Sequence, residues 1–520
     1  MESVFVMGVV IEIDIWLCHE NILNSCPYIG SLPSGNYKVQ NAVQQDDICK
    51  EFYTNIINES LKSTFNKYNP KKKKSEKKPK SVLIVGAGVS GLAAAFELEK
   101  VGYDTQIVEL QHRVGGRTKT LRAGFSDGLH AEEWERKNKK YSTQFFQGWN
   151  DNLPRDKKDK VDGILDLYKL TFDPVKADLQ NLCEENGPHT GWQKWVEKWS
   201  KLSVNDFLRT KSEDDENIYR PWPEIAIRGY QIGTYSPAFD TSLVEHLRDE
   251  LGQWWTKLLE TPIDGMETIA KHFIKPHQFE SRAIDLSKKI IFGVRITKVR
   301  KNKKDGVEVK GKNVITGEDK CFFADAAILT VPLTILRQMD IDLPGHYRRA
   351  LGYIYYQPST KVALQCRTRF WEKDIGTGGF TKTNLPIGQL HYPSPDDPRP
   401  PNKRGILVSY TWEQDALIFG SQTKSQAIDS AVREVTKIHP EMKEEFEVGM
   451  VQAWFDDPAA QGAYACLLPF QYIDGMKTLM TPKHPIYLAG EALSYTNGWV
   501  QGAIESGLNA AYHLYSYDRS

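Results

Sequence analysis

Between Ser81 and Thr118 the chain reads SVLIVGAGVSGLAAAFELEKVGYDTQIVELQHRVGGRT. Val82-Leu83-Ile84-Val85 is an unbroken apolar, β-branched run, which predicts a strand buried on both faces. Gly86, Gly88 and Gly91 follow at GxGxxG spacing, then a predicted helix over Leu92–Lys100. A second short strand, Thr105–Val108, ends in Glu109, 18 residues past Gly91. Gly86 permits the tight strand-to-helix turn, and Gly88 lets backbone approach a pyrophosphate without a Cβ between them. Gly91 allows close helix–strand packing, and the helix N-terminus offers free N–H groups to phosphate oxygens. Ser90 lies inside the same turn and is counted among the cofactor contacts. A carboxylate at Glu109 can accept from ribose hydroxyls.

A lone GxGxxG is weak, because an ordinary βαβ unit carries glycines incidentally. Here strand, glycines, helix, second strand and terminal acid stand in order, and together they predict a dinucleotide site.

Directly after Glu109 comes Gln111-His112-Arg113-Val114-Gly115-Gly116-Arg117-Thr118. This basic turn resembles the E-x-x-x-R-x-G-G-R-x motif of the flavin amine oxidase superfamily, in which the arginine of the GGR turn reaches the FAD pyrophosphate. The resemblance matches Arg113 and Arg117 to the two arginines and Gly115 and Gly116 to the glycine pair. It implies FAD rather than a nicotinamide cofactor, and it runs from about residue 81 to 515.

The 520-residue chain is too long for one core and predicts two or three packed lobes. Its 67 basic and 67 acidic residues cancel, so no global field argues for nucleic acid or a membrane surface. No apolar run reaches the roughly 18 residues of a membrane span. The seven cysteines are scattered without a CxxC pair, which suggests neither a disulfide framework nor a zinc site. Val4–Leu17 is apolar but carries Glu12 and Asp14 and lacks a basic start, a poor signal peptide. Lys71–Lys80 reads as a solvated linker or, alternatively, as a nuclear-localisation or anion-binding run. No compartment is assigned, and a homo-oligomer is allowed.

The expected architecture is α/β: a Rossmann-like FAD-binding domain of the GR2 type, a mixed-sheet substrate domain and a helical lobe. The expected segments are an appendage and linker (1–80), the FAD-binding domain in three parts (81–135, 266–334, 476–520), the helical lobe (136–265) and the substrate domain (335–475). Helical spacing in Ile164-Leu165-Leu167-Tyr168-Leu170 supports the lobe. Ile290–Arg300 and Gly306–Lys310 alternate like antiparallel strands, and Ala326–Pro332 reads as a buried one. In the substrate domain, strands are expected at Thr360–Thr368, Gly388–Tyr392 and Ile406–Thr411, with a helix over Ser425–His439.

Within the superfamily several segments resemble the L-amino-acid oxidase branch. Ser359-Thr360-Lys361 resembles the segment whose lysine holds a water near flavin N5; a lysine capping a strand end is the plain alternative. Tyr410 sits where the family's substrate-carboxylate tyrosine sits, although a strand-ending tyrosine is also an ordinary packing residue. Ile486–Leu508 resembles the closing motif, strand, A-G-E, then G-W-x-x-G-A-x-x-S-G on a helix. The resemblance implies cofactor contacts at Val294 (through its backbone, to adenine), Gly490, Glu491, Gly498 and Trp499. It also makes Trp499 a wall of the substrate channel and the Gly498 carbonyl an acceptor for the substrate amine. Phe370-Trp371-Glu372, Thr383-Asn384-Leu385-Pro386-Ile387 and Tyr392-Pro393 resemble further elements of that branch, with Asn384 in place of an aspartate; Asp264-Gly265-Met266 resembles a G-G-M turn. At the position where some relatives bond FAD through cysteine the chain has Ala463, with Cys466 three residues on, which implies non-covalent FAD.

One segment departs from the pattern. Where L-amino-acid oxidases carry an A-G-A-M-R-x-P turn whose arginine clamps the substrate carboxylate, this chain reads Gly128-Leu129-His130-Ala131-Glu132-Glu133-Trp134-Glu135-Arg136-Lys137. Arg136 and Arg228 are the two candidate substitutes. The function implied is an FAD-dependent L-amino-acid oxidase with catalytic residues Lys361, Tyr410 and Trp499 and no metal. Hydride passes from Cα to flavin N5, giving a 2-oxo acid, ammonia and, with O2, hydrogen peroxide. A polyamine or monoamine oxidase and a catalytically silent FAD-binding paralogue are the alternatives. The partners expected are a small amino acid or amine and O2.

Overall fold

The computed structural model describes residues 3–6, 9–12, 80–121, 125, 164–211, 217–234, 239–252, 262, 265–279, 282–302, 306–373, 380–392 and 404–519. The lysine-rich run before Lys80, the segment 128–137 with Arg136, Asp264 and Pro393 lie outside the described residues.

The quoted stretch folds as β1 (Ser81–Val85), α1 (Val89–Lys100) and β2 (Asp104–Val108), with β1 and β2 parallel. The helix begins at Val89 rather than at the expected Leu92, so Ser90 and Gly91 belong to its first turn. Successive side chains of β1 enter opposite cores, as the two-residue strand period requires. Val82 and Ile84 pack with α1, whereas Leu83 and Val85 join the core that reaches the helical lobe.

The described part of that lobe consists of α2 (Ile164–Asn186), α3 (Pro188–Trp199), α4 (Val204–Arg209), α5 (Glu224–Thr234) and α6 (Leu243–Gly252). Its core is aromatic: Phe172, Trp192, Trp195 and Phe207 are fully buried. Two of its indoles place their polar edge on an acceptor: Trp195 Nε1 donates to the Val175 carbonyl and Trp222 Nε1 to Thr171 Oγ1.

The chain returns through α7 (Glu267–Phe273) to β3 (Ile290–Ile291) and β4 (Val294–Lys301). These are two strands where one, Ile290–Arg300, was expected. Gly293 sits between them at φ +74°, and the bend hands β3 to the parallel sheet and β4 to another. β4 then pairs antiparallel with β5 (Val307–Asn313), and β5 with β6 (Asp319–Ala324). β7 (Ala326–Leu329) returns to lie parallel beside β1.

The substrate-side sheet is built from β8 (Ser359–Cys366), β9 (Phe380–Lys382), β10 (Gln389–His391), β11 (Gly405–Trp412) and β12 (Phe446–Ala453), in the order β9-β10-β11-β8-β12. The last strand was not foreseen, because its residues are all half-buried and show no two-residue alternation. One face of the sheet packs on α8 (Lys424–Ile438), whose Ala427, Ala431 and Val435 meet Val362 and Leu364. The other face presents Ala363, Ile406 and Val408, packed with Leu121 and Phe125. Finally β13 (Ile486–Leu488) completes the parallel sheet, ordered β13-β7-β1-β2-β3, and α9 (Val500–Tyr517) packs on α1.

Candidate active site

A cavity of about 660 Å³ runs from the glycines of the β1–α1 turn to the half-buried side of the substrate sheet. That volume falls within the roughly 300–1,000 Å³ typical of small-molecule and cofactor sites. Gly86, Gly88, Ser90, Glu109, Arg113, Gly116, Arg117, Val294, Lys361, Tyr410, Gly490, Glu491, Gly498 and Trp499 all line it; of the site residues expected from sequence, only Gly91 does not.

Gly91 has a packing role. A Cβ there would stand 2.1 Å from the Gly86 carbonyl oxygen. A Cβ at Gly88 would meet no protein atom within 4 Å, so it would protrude into open cavity space. Ser90 Oγ is buried at the same helix end and has no hydrogen-bond partner among the described residues. A bare backbone surface, an unpartnered hydroxyl and a helix N-terminus fit a pyrophosphate. Glu109 lies opposite: its Oε2 accepts from the Ala87 N–H at 2.6 Å and its Oε1 from the Gln111 N–H at 2.8 Å. Burial pushes this carboxyl above its ordinary value, and the two backbone donors work against that rise. These residues fit the adenosine and diphosphate of FAD.

Three expected contacts are partly engaged within the protein. The Val294 N–H donates to the Glu109 carbonyl at 3.0 Å, so the adenine contact cannot rely on it alone. Arg113 donates to the carbonyls of Val114 and Gly116, and thereby braces the glycine turn itself. The Gly490 N–H donates to Ser506 Oγ.

Arg117 and Glu491 form the hub between the cavity's two ends. Arg117 Nη1 donates to Glu491 Oε1 and to the Ala463 carbonyl, each at 2.7 Å. Glu491 Oε1 also accepts from the Ala465 N–H, and its Oε2 from the Gly498 N–H at 2.9 Å. Burial by itself would lower the guanidinium's pKa; the Glu491 carboxylate and the Tyr356 phenol reverse that, and the net shift is upward. The Glu491 side chain therefore ties three segments together at the cavity wall.

At the substrate end, strand register places the key side chains. Lys361 on β8 is directly opposite Tyr410 on β11 and Gln452 on β12. Lys119, two residues past the GGR turn, donates to Gln452 Oε1 at 2.9 Å, and its pKa is lowered, chiefly by burial. Tyr410 leans on Trp412 with ring centroids 4.4 Å apart, and Trp412 meets Tyr464 edge-on at 5.4 Å. The Tyr464 ring covers Gly498, where a Cβ would come within 2.9 Å of it. Trp499 follows as the cap residue of α9. The result is an aromatic wall with a primary ammonium beside it, suited to a small polar substrate.

Trp412, Gln452, Trp454, Tyr464, Lys119 and Arg248 line the cavity without having been anticipated. Tyr464 and Arg248 carried no motif signal; Trp412 shares the strand face of Tyr410 two residues on, and Gln452 is found only from the register of Lys361. Arg228 does not reach the site: it is exposed on α5 and pairs with Glu224. The other resembling segments are structural. Trp371 is fully buried in the substrate-sheet core, and the Tyr392 hydroxyl bonds Thr381 and His439, with its pKa pushed up to about 12 by burial. Ala463 lines the cavity, whereas Cys466 does not; it is buried behind Tyr464, and burial raises its thiol pKa well above normal. Among the described residues no histidine lines the cavity, no acid–His–Cys cluster could hold a metal ion, and no helix is long and apolar enough to cross a membrane.

The family model for flavin-containing amine oxidoreductases matches residues 131–514, and one for NAD(P)-binding Rossmann-like domains matches 84–154. The chain is 28% identical to the YobN protein of Bacillus subtilis (strain 168), over 84% of this chain and 95% of that one. It is 25% identical to an L-amino-acid oxidase of Demansia vestigiata, over 89% of each. Among solved structures, a putrescine oxidase bound to putrescine superposes with a TM-score of 0.58 at 18% identity, covering 84% of this chain and 99% of that one. Cyclohexylamine oxidase from Brevibacterium oxydans IH-35A gives 0.59 at 15% identity, covering 85% and 100%. At those identities the two structures establish the Rossmann-plus-mixed-sheet fold.

Proposed function

The chain belongs to the flavin-containing amine oxidoreductases and is an FAD-dependent oxidase of amino acids or amines; within that class we propose that its substrates are L-amino acids and that FAD is held without a covalent bond. The observation that carries the substrate reading is the charge of the aromatic-walled end. Lys361 and Lys119 stand there with the Tyr410 phenol; of the three acids that line the cavity, Asp457 acts on Lys119 and Arg113, and Glu109 and Glu491 are engaged by backbone N–H groups and Arg117, so the basic groups outnumber the acidic ones. Such a site favours a carboxylate and repels a second ammonium.

Bound FAD supplies the acceptor for the hydride leaving Cα and, once reduced, the electrons that turn O2 into hydrogen peroxide. The chain supplies position and charge. The Tyr410 hydroxyl donates to the substrate carboxylate. The Gly498 carbonyl accepts from the neutral amine, which fixes the direction of the Cα–H bond. Trp499, Tyr464 and Trp412 keep bulk water from the reacting carbon. Lys361 places positive charge where negative charge develops. The imino acid product hydrolyses to a 2-oxo acid and ammonia. Ala463 on the cavity wall, with Cys466 set behind Tyr464 and off the lining, supports a cofactor without a thioether bond.

A second reading, oxidation of amines without a carboxylate, is favoured by one observation: Arg228 points away from the cavity on α5 and supplies no clamp. Anaerobic additions of L-amino acids, simple amines and polyamines to the purified yellow protein separate the two. Flavin bleaching by amino acids is expected. Bleaching by amines alone selects the second reading, and no bleaching by any of them overturns both. Acid precipitation should leave a colourless pellet; a yellow one would mean covalent FAD.

A further inference from the structure

The segment Ser494–Trp499 brings Gly498 and Trp499 to the cavity, and three buried carboxyl groups hold it. Glu491 accepts from the Gly498 N–H, and Glu245 on α6 accepts from Asn497 Nδ2 at 2.8 Å. Glu505 on α9 takes the side chains of Ser494 and Thr496. Gly502 lets the segment lie directly on that helix, since a Cβ there would stand 2.2 Å from the Thr496 carbonyl oxygen.

Two of the three carboxyls have a cation, Arg117 for Glu491 and Arg248 for Glu245. Among the described residues Glu505 has none; its Oε1 accepts from Gln501 Nε2 at 2.9 Å. A carboxylate buried without a countercharge is costly. Burial accordingly raises the Glu505 pKa, against the pull of its three side-chain donors. The elements packed on α9 are α1, β7, β13 and the short helix Glu491–Leu493. Their titratable residues, Glu97, Glu99 and Lys100 on α1, Tyr487 on β13 and Glu491, do not act on Glu505, and neither does His513 on α9 itself.

Ser494 Oγ, Thr496 Oγ1 and Glu505 Oε2 form a triangle. Its sides are 2.7 Å between the hydroxyls, 2.6 Å from Thr496 to Glu505 and 2.8 Å from Ser494 to Glu505. Each side has hydrogen-bond length and needs one hydrogen. The two hydroxyls supply one each. The Thr496 N–H donates to Ser494 Oγ from outside the triangle and fills no side. An ionised carboxylate accepts only, so one side would be two oxygens facing each other with no hydrogen between them. A proton on Oε2 supplies the third, and Oε1 stays an acceptor for Gln501.

We propose that Glu505 is a neutral carboxylic acid in the native enzyme and a positioning residue, its proton closing a ring of three hydrogen bonds that fixes the segment bearing Gly498 and Trp499. The effect on turnover rests on the function proposed above, in which the Gly498 carbonyl receives the substrate amine; the protonation does not.

The test is infrared difference spectroscopy of the FAD-loaded full chain at pH 7, wild type minus Glu505→Gln, in H2O and in D2O. A carbonyl band of a protonated carboxylic acid is expected in wild type, absent from the variant and moved by D2O. Carboxylate bands in its place would overturn the proposal. Where Glu505→Gln does not fold, Ser494→Ala removes one hydrogen bond from the acid and should shift that band, and an unshifted spectrum would count against the ring equally. Stability gives an independent reading. An acid whose native pKa lies above its unfolded value favours folding below the unfolded pKa and loses that contribution as pH rises through the native one. The denaturant midpoint of wild type should therefore fall relative to that of Glu505→Gln between pH 5 and pH 8; a constant difference would rule out the neutral acid. Positioning is read as kcat on whichever substrate bleaches the flavin. Glu505→Leu, or Thr496→Val where the leucine variant fails to fold, should lower kcat at least tenfold, about the worth of one hydrogen bond, while Glu505→Gln recovers most of it. Unchanged kcat in the leucine or valine variant would overturn the positioning role. If no amine or amino acid bleaches the flavin, the proposed function falls, and the infrared band still decides the acid.

Discussion

The Lys361 ammonium lies 4.3 Å from the centroid of the Tyr410 ring, its directly opposed partner across strands β8 and β11. A cation over an aromatic face is worth about 0.5–2 kcal/mol, more where water is excluded. The contact keeps a flexible four-carbon side chain in one place without consuming the phenol's hydrogen-bonding atoms. Gln452, on the other side of Lys361 in the register, ties in Lys119. Three strands thereby fix two cations and one phenol at the same end of the cavity.

Tyr410→Phe keeps the ring beneath Lys361 and removes the hydroxyl. If that hydroxyl donates to the substrate carboxylate, kcat/KM for L-amino acids should fall by about 10- to 100-fold, the worth of a charge-assisted hydrogen bond. The decarboxylated amine of the same side chain should show no such loss. Comparable losses on both substrates would assign Tyr410 to packing.

Much of the cofactor end could be read from the chain, because its parts are contiguous: strand, glycines, helix and Glu109 lie within one βαβ unit whose spacing is set by backbone geometry. The substrate end could be read only where a family segment marked it, as at Lys361, Tyr410 and Trp499. Gln452 gains its place from the register of the sheet, Tyr464 from a separate strand pair with Tyr356–Gln357, and Arg248 from a helix of another lobe. No local spacing encodes those meetings. Glu491 was recognised for its motif, yet its side chain serves Arg117 and Gly498, which becomes visible only once the segments are packed.

Gly88 and Gly91 should respond differently to alanine although they are three residues apart. Gly91→Ala forces a methyl onto the Gly86 carbonyl at 2.1 Å, so the strand–helix turn must shift and the folded protein should lose stability. Gly88→Ala meets no protein atom and should fold normally. Its methyl occupies the space of the pyrophosphate, so the purified protein should retain little FAD. Thermal unfolding and the flavin-to-protein absorbance ratio together check this. Full flavin retention by Gly88→Ala would move the phosphates elsewhere.

His246 supplies a pH dependence of stability. It is enclosed by Phe172, Tyr230 and Phe239, and its Nε2 lies 2.7 Å from the Tyr230 hydroxyl. Burial pulls its pKa down from 6.5 to about 4. Between those values the unfolded chain binds a proton that the native state refuses. This contribution is therefore complete above pH 6.5 and is lost as pH falls towards 4, up to about 3 kcal/mol over the window. The denaturant midpoint should drop between pH 7 and pH 5, and His246→Gln should flatten that part of the profile. An unchanged profile in the variant would assign the drop to other groups.

Glu491→Gln should be more damaging than its conservative look suggests. The carboxylate accepts from Arg117, the Ala465 N–H and the Gly498 N–H; an amide presents donors of its own to that set and leaves the Arg117 charge without its anion. Breaking a buried pair by neutralising one partner costs about 3–5 kcal/mol, and the half-buried position of Arg117 puts the expected loss at the lower end. The variant should unfold at a lower temperature and release FAD more readily, because Gly498 and Ala463 lose their common anchor. Arg117→Met in the same background should add much less than it costs alone, as expected of two residues that act through one contact. Additive losses would show that Arg117 and Glu491 support the cavity independently, and the hub would have to be abandoned.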